Sequence, residues 1–483
     1  MNDVALLIAG KSTAAEGGRS FDRIDPVKGI TATSAAAASV ADVNASVDAA
    51  AAAFPAWAAT GPGRRREILL KAAETLLARQ PDFVKAMVAE TGATEAWAGF
   101  NVFFAASILR EAASATTQIA GEVIPSDVPD NLAMAIRQPI GVCAGIAPWN
   151  APVILGVRAI AMPLACGNTV VFKASEACPA THRLIGTALQ EAGLPNGVLN
   201  VISNAPEDAP EVVGALIDHP AVRHVNFTGS TRVGRMIAER AARHLKPVLL
   251  ELGGKAPLIV LDDADIGEAV NGAVFGAFAN QGQICMSTDR IVIDEKIADE
   301  FVARLSARAA GLPARDPSQG PAVLGSMVDA KSAARVSELI RDAVEKGAQI
   351  TAGGQGEGTL IPATVLDRVT PSMRIYAEES FGPVVIVVRV NGDDEALRVA
   401  NDTEYGLSAA IFSRDIARAW GLARRVESGI CHINGPTVHD EPQMPFGGVK
   451  ASGYGRFGGK AGIDAFTTLR WITVQTGPRH YPF

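Results

Sequence analysis

Residues 222–254 read VRHVNFTGSTRVGRMIAERAARHLKPVLLELGG. A short apolar run (HVNF) meets a glycine turn, a polar helical stretch follows, and a second apolar run (PVLLELGG) closes the unit. That is the β–α–β rhythm of a parallel sheet. It extends outward in both directions. GVCAGIAPW, NTVVFKAS, GVLNVIS and APLIVL, all between residues 141 and 260, are further short apolar runs alternating with helical spacing. After residue 285 the rhythm resumes with RIVIDE, helices over 296–310 and 331–346, FGPVVIVVRV, a helix over 394–400 and ICHINGP. Residues 1–40 predict short strands and turns. Residues 41–118 predict helices, including the Ala-rich run 48–59, because alanine is the best helix former. NLAMAIRQPIG at 131–141 and the late TTLRWITVQ read as strands. Two α/β domains are expected.

A chain of 483 residues exceeds what one compact core usually supports. Its 48% apolar and 20% charged residues are those of an ordinary globular protein. The net charge, 44 − 51 = −7, comes with no basic cluster, so no nucleic-acid partner is expected. The five cysteines are sparse and scattered, which suits a reducing cytoplasm better than a disulfide framework. MNDVALLIAGK lacks the pattern of a signal peptide. The longest apolar stretch, near 151–166, is broken by Arg158 and Pro163, so no membrane span is expected.

Chemistry-bearing residues cluster where apolar runs meet loops. Cys285 stands in NQGQICMST (280–288), among small and polar neighbours rather than in an apolar core. Gly229, Ser230 and Gly234 in FTGSTRVG open a helix after a strand, either as a phosphate cradle or as an ordinary turn. Lys173 and Glu176 in KASE sit at a strand's C-terminal end, the ligand side of a doubly wound sheet; two solvated loop charges are the plainer reading. Glu251 in LLELGG follows a strand, where partial burial would suit it to base chemistry. Asn150, after Pro148 and Trp149, is either an oxyanion donor or an Asx turn.

The ordered set PWN, KASE, FTGSTRVG, LELGGK, GQIC, EESFGPV and PFGGVKASGYG resembles the aldehyde dehydrogenase superfamily along nearly the whole chain. The resemblance implies two Rossmann-type doubly wound α/β domains plus a small β oligomerisation arm. Residues 1–122 and 141–247 would be the NAD-binding domain, 248–446 the catalytic domain, and 123–140 with 467–483 the arm of a homodimer or tetramer. It implies that Cys285 is the nucleophile, that Asn150 and the Cys285 N–H hold the oxyanion, and that Glu251 activates the hydrolytic water. Lys173 and Glu176 would bind the adenosine ribose, favouring NAD over NADP. Gly229, Ser230 and Gly234 would face the pyrophosphate, with Trp149, Glu379 and Phe381 around the nicotinamide half.

Within the family the texture is most similar to the aromatic-aldehyde branch, salicylaldehyde dehydrogenases first and vanillin dehydrogenases second. WAGFNV, VRAIAMPL, HDEPQMPFGGVK and the ending GPRHYPF carry that likeness. The substrate expected is therefore an aromatic aldehyde of the salicylaldehyde, benzaldehyde or vanillin type. Ala151 leaves space for a ring, Arg158 either offers a cation to a ring face or phenolic oxygen or is a solvated or salt-bridged helix arginine, and Trp97, Phe100, Ile284, Met286 and Phe446 are candidate apolar walls. His439, Asp440 and Glu441 lack partners at ligand spacing, so no metal is expected. Alternatives are an aliphatic or semialdehyde substrate, a CoA-dependent acylation, and a cysteine hydrolase or acyltransferase without nucleotide. The last would leave the nucleotide-like motifs unexplained.

Overall fold

The computed structural model describes residues 2–483. Every apolar run of the 141–260 segment becomes a strand, and the Ala-rich stretch lies in the helix Val40–Ala58. That helix starts with a capping box in which Ser39 and Asp42 satisfy each other's backbone N–H groups.

Two large sheets organise the chain. In the first, Val248–Glu251, Val222–Thr228, Val142–Ile146, Thr169–Lys173 and Leu199–Ile202 lie side by side and parallel. The connections run outward in opposite directions from Val142–Ile146, which makes its C-terminal end a topological switch point, the place where such sheets bind ligands. Helices Val40–Ala58 and Pro152–Ala165 pack against these strands, whose residues are almost all buried. In the second sheet, Thr364–Asp367, Val384–Val390, Thr288–Asp294, Ala256–Val260, Ser408–Phe412 and Ile430–Ile433 run parallel, with Gln349–Ala352 antiparallel at one edge.

Sheet membership places the crossing between the two at Leu252–Lys255, slightly beyond the expected 247/248 boundary, because Val248–Glu251 pairs with Val222–Thr228. The chain later returns to the first sheet, where Gly453–Tyr454 pairs antiparallel with Leu250 and Glu251. The sheets also offer different ends to the region between them. Trp149, Lys173, Ser230 and Glu251 lie at or just after strand C-termini of the first sheet, whereas Cys285, Glu379 and Phe381 precede strands of the second. The second sheet therefore does not use its C-terminal edge for these residues, unlike an ordinary Rossmann domain.

A third sheet is built from Glu122–Ile124, Asn131–Pro139 and Thr467–Gln475, all antiparallel. The long pairing runs from Thr467 opposite Pro139 to Gln475 opposite Asn131. It leaves large apolar side chains in solvent, notably Trp471 at 78% and Leu469 at 60% exposed.

Candidate active site

Cys285 sits at the end of a tightly held loop. Asn280, Gln281 and Gly282 take successive φ values of 47°, 55° and 66°, so three residues in a row are left-handed. Asparagine and glycine tolerate that region; for glutamine it is uncommon. The conformation persists because side chains lock it. Gln281 Nε2 and Gln283 Nε2 both donate to the Ser326 carbonyl, at 3.1 and 3.3 Å, and Gln283 Oε1 accepts from Val328 N–H at 3.0 Å. Asn280 Nδ2 donates to the Asn150 carbonyl at 2.9 Å. Gly282 packs so closely on the Gly382 carbonyl that a Cβ would lie 2.1 Å from that oxygen. The glutamines around Cys285 are thus its mounting. The sequence shows them but not Ser326, their distant anchor.

Asn150 is buried and donates from Nδ2 to the Gln283 carbonyl at 2.9 Å. Its own carbonyl accepts from Trp97 Nε1 at 3.0 Å. One N–H of the amide is therefore committed to holding the loop, which leaves the other for an oxyanion. The Cys285 N–H makes no hydrogen bond among the described residues.

Glu251 ends its strand fully buried, and its carboxylate meets no hydrogen-bonding group other than the facing Cys285 thiol. Burial raises its pKa to about 7; the facing Cys285 thiol and Arg158 oppose the shift. The thiol itself is pushed well above the ordinary cysteine range, by burial first and then by the Glu251 charge. At rest, then, the thiol keeps its proton and Glu251 is the acceptor facing it. Glu379 is also raised to about 7 by burial and accepts from Gly254 N–H at 2.9 Å. Among the other cysteines, Cys143, Cys166 and Cys178 are buried, and burial raises the Cys431 thiol to about 11.

On the first sheet's side, Lys173 and Glu176 form an ion pair, and Glu176 also accepts from Asn204 Nδ2 at 3.0 Å. Ser230 caps the helix Thr231–Arg243, accepting from Val233 N–H at 3.4 Å. The glycines beside it serve local packing: a Cβ on Gly229 would strike the Phe227 ring at 2.4 Å, and one on Gly234 the Leu252 side chain at 2.5 Å. Trp149 meets Phe381 edge-on at 5.7 Å, and Phe381 has a φ of 48°. The donor set suits a dinucleotide. A carboxylate beside a lysine matches a ribose diol, and a helix N-terminus at which Ser230 caps only the Val233 N–H keeps donors for a pyrophosphate.

Ala151, Ile284, Met286 and Phe446 belong to one buried apolar cluster, with Trp97 and Cys285 packed against it. Phe100 stacks on Trp97 at 5.6 Å but is 46% exposed, so it forms an outer edge rather than an inner wall. Arg158 takes the salt-bridged form, the plainer of its two readings. It is ion-paired with Asp440, and its guanidinium carbon lies 4.3 Å from the centroid of the Phe446 ring. Sequence reading treated Asp440 only as a failed metal ligand. The described residues contain no cluster of three or more His, Cys, Asp or Glu placed to hold a metal ion.

A family model described as the aldehyde dehydrogenase family matches residues 13–472. A vanillin dehydrogenase of Pseudomonas fluorescens is 64% identical over 482 residues, with 100% of both chains covered. Among solved structures, a salicylaldehyde dehydrogenase from Pseudomonas putida G7 complexed with salicylaldehyde is 50% identical with a TM-score of 0.98, again covering 100% of both chains. PnpE in complex with nicotinamide adenine dinucleotide is 37% identical, with a TM-score of 0.95 and 99% of each chain covered. In identity the vanillin relative stands ahead of this salicylaldehyde structure, the reverse of the order the sequence texture suggests.

Proposed function

The chain belongs to the aldehyde dehydrogenase family, whose members use a nicotinamide dinucleotide, and from that premise we propose that it oxidises aromatic aldehydes to carboxylic acids with NAD. The observation that carries the chemical reading is the facing pair of Cys285 and a buried Glu251 that has no other partner.

Glu251 takes the thiol proton as Cys285 Sγ attacks the aldehyde carbon. The oxyanion is met by the second N–H of Asn150 and by the free Cys285 N–H; one such donor contributes roughly 10²–10³ in rate. When bound, the nicotinamide supplies the hydride acceptor. Loss of hydride from the substrate carbon leaves a thioester on Cys285. Glu251, its proton released to solvent, then removes a proton from the water that hydrolyses the thioester. Lys173, Glu176, Gly229, Ser230 and Gly234 would hold the adenosine and pyrophosphate half, and Trp149, Glu379 and Phe381 the nicotinamide half. Glu176 favours NAD because its charge would repel a 2′-phosphate. Ala151, Ile284, Met286, Phe446 and Trp97 wall the ring site, and the aromatic names of the relatives support this choice over aliphatic substrates.

The domain assignment is that of the family with its boundary moved to the crossing between the sheets: residues 1–122 and 141–251 for nucleotide, and 256–446 for catalysis. Five unpaired cysteines favour the cytoplasm, and no helix among the described residues is long and apolar enough to cross a membrane. The exposed apolar face of the third sheet supports a homodimer or dimer of dimers. Light scattering tests that: Trp471→Asp is expected to lower the oligomeric state, and a wild-type monomer contradicts it. The activity is tested by absorbance at 340 nm with NAD. Faster kcat/KM for benzaldehyde, salicylaldehyde and vanillin than for a short aliphatic aldehyde is expected; the opposite ranking overturns the aromatic reading.

A further inference from the structure

The motif LELGGK ends in Lys255, a lysine that neither the catalytic nor the nucleotide reading employs. It follows Glu251 by four residues (255 − 251), just as Asp289 follows Cys285 (289 − 285). The strands Ala256–Val260 and Thr288–Asp294 are parallel neighbours, so the two side chains meet at the N-terminal edge of the second sheet. Lys255 Nζ donates to Asp289 Oδ1 at 2.9 Å, and both residues are buried.

Their remaining hydrogen bonds converge on one residue. Asp289 Oδ2 accepts from the Ser380 N–H at 2.9 Å, and Ser380 Oγ accepts from Lys255 Nζ at 3.2 Å. The Ser380 carbonyl accepts from Arg335 Nη1 at 3.1 Å. Ser380, itself buried, is thereby held through its N–H, its hydroxyl and its carbonyl. Its two neighbours in the chain are Glu379 and Phe381. Glu379 packs so closely on the turn before Lys255 that a Cβ on Gly253 would lie 2.7 Å from Oε2. Phe381 is left-handed at φ 48°, a conformation that a phenylalanine keeps only where its surroundings impose it.

A buried ion pair contributes little net stability, because desolvation offsets the attraction. An apolar pair would fill the same space, but it could not grip both the N–H and the hydroxyl of a strained loop. The cysteine loop does not depend on these bonds, since its own anchors are Ser326, Val328 and Asn150.

We propose that Lys255 and Asp289 are positioning residues for hydride transfer: through Ser380 they fix Glu379 and Phe381, and they take no part in the acyl chemistry of Cys285. This rests on the reading of Glu379 and Phe381 as nicotinamide contacts and names what sets their geometry.

The test sets two reactions of the same enzyme side by side. NADH formation from benzaldehyde and NAD requires hydride transfer. Hydrolysis of p-nitrophenyl acetate without NAD uses Cys285, Asn150 and Glu251 but moves no hydride: Sγ displaces p-nitrophenolate, and water then releases acetate. Asp289→Asn cannot accept from Lys255 and from Ser380 at once. It is expected to lower kcat for NADH formation by about 10²-fold, the cost of a displacement of about 1 Å, with ester hydrolysis nearly unchanged. Deuterium on the formyl carbon is expected to slow this variant further, because hydride transfer is then its slow step. Ser380→Ala leaves the ion pair whole and removes only the hydroxyl. It is expected to lower the ratio of oxidation to ester hydrolysis by roughly tenfold, and it decides the matter should the asparagine variant not fold. An equal loss in both reactions, an unchanged ratio in Ser380→Ala, or no isotope effect in the slowed variant overturns the proposal. Failure of the underlying reading looks different: Glu379→Gln and Phe381→Ala would then leave the ratio unchanged as well.

Discussion

Two strands of the first sheet, Thr169–Lys173 and Val248–Glu251, are followed or ended by carboxylates held in opposite ways. At Lys173–Glu176 the charges are consumed by one another and by Asn204. At Glu251 both oxygens are buried and meet only the Cys285 thiol, which keeps its proton. The first arrangement is complete before any ligand arrives and holds a shape. The second is incomplete by itself, and burial holds Glu251 near a pKa of 7, where it can both accept and release a proton.

The largest expected effect comes from removing the one partner of Glu251. Cys285→Ala is expected to abolish aldehyde oxidation while leaving thermal stability nearly intact, because the thiol touches no hydrogen-bonding group but Glu251, which can take up a proton when left alone. Steady NADH production by this variant would break the contrast outright. Next comes the mounting of the loop. Gln283→Ala removes bonds to Ser326 and Val328, and a nucleophile displaced by about 1 Å costs about 10²-fold in kcat/KM. Loss of that size with little change in NAD affinity supports a positioning role; loss only in NAD affinity opposes it. The smallest effect falls on the paired end. Glu176→Gln is expected to shift the NADP/NAD ratio of kcat/KM toward NADP by about tenfold, with little effect on saturated turnover. An unchanged ratio would show that Glu176 does not face the ribose.

Much of this was legible in the residues. The six apolar runs between 141 and 260 all form strands, and Thr467–Gln475 coincides with TTLRWITVQ. Hydrophobic periodicity is local, so it survives without knowledge of partners. Which sheet a strand joins is not local. PVLLELGG and APLIVL look alike in sequence, yet the first joins one sheet and the second the other. The same limit applies at the site. Cys285, Glu251 and Asn150 stand out through their motifs, but Ser326 and Asp440 carry no motif. Ser326 matters because two glutamines reach it, and Asp440 because Arg158, far away in the chain, folds against it.

The central claim is that the buried carboxylate of Glu251 serves Cys285 and then the hydrolytic water. Rapid mixing of Glu251→Gln with aldehyde and NAD tests it most directly. The account predicts slow formation of one NADH per Cys285, faster as pH rises because hydroxide replaces the missing base, and then a stall with the acyl group still on the enzyme. It also predicts that the wild-type rate falls as pH drops below about 7, where Glu251 becomes protonated, and that this dependence is lost in the variant. Sustained turnover by Glu251→Gln at the wild-type rate, with the same fall below pH 7, would contradict it.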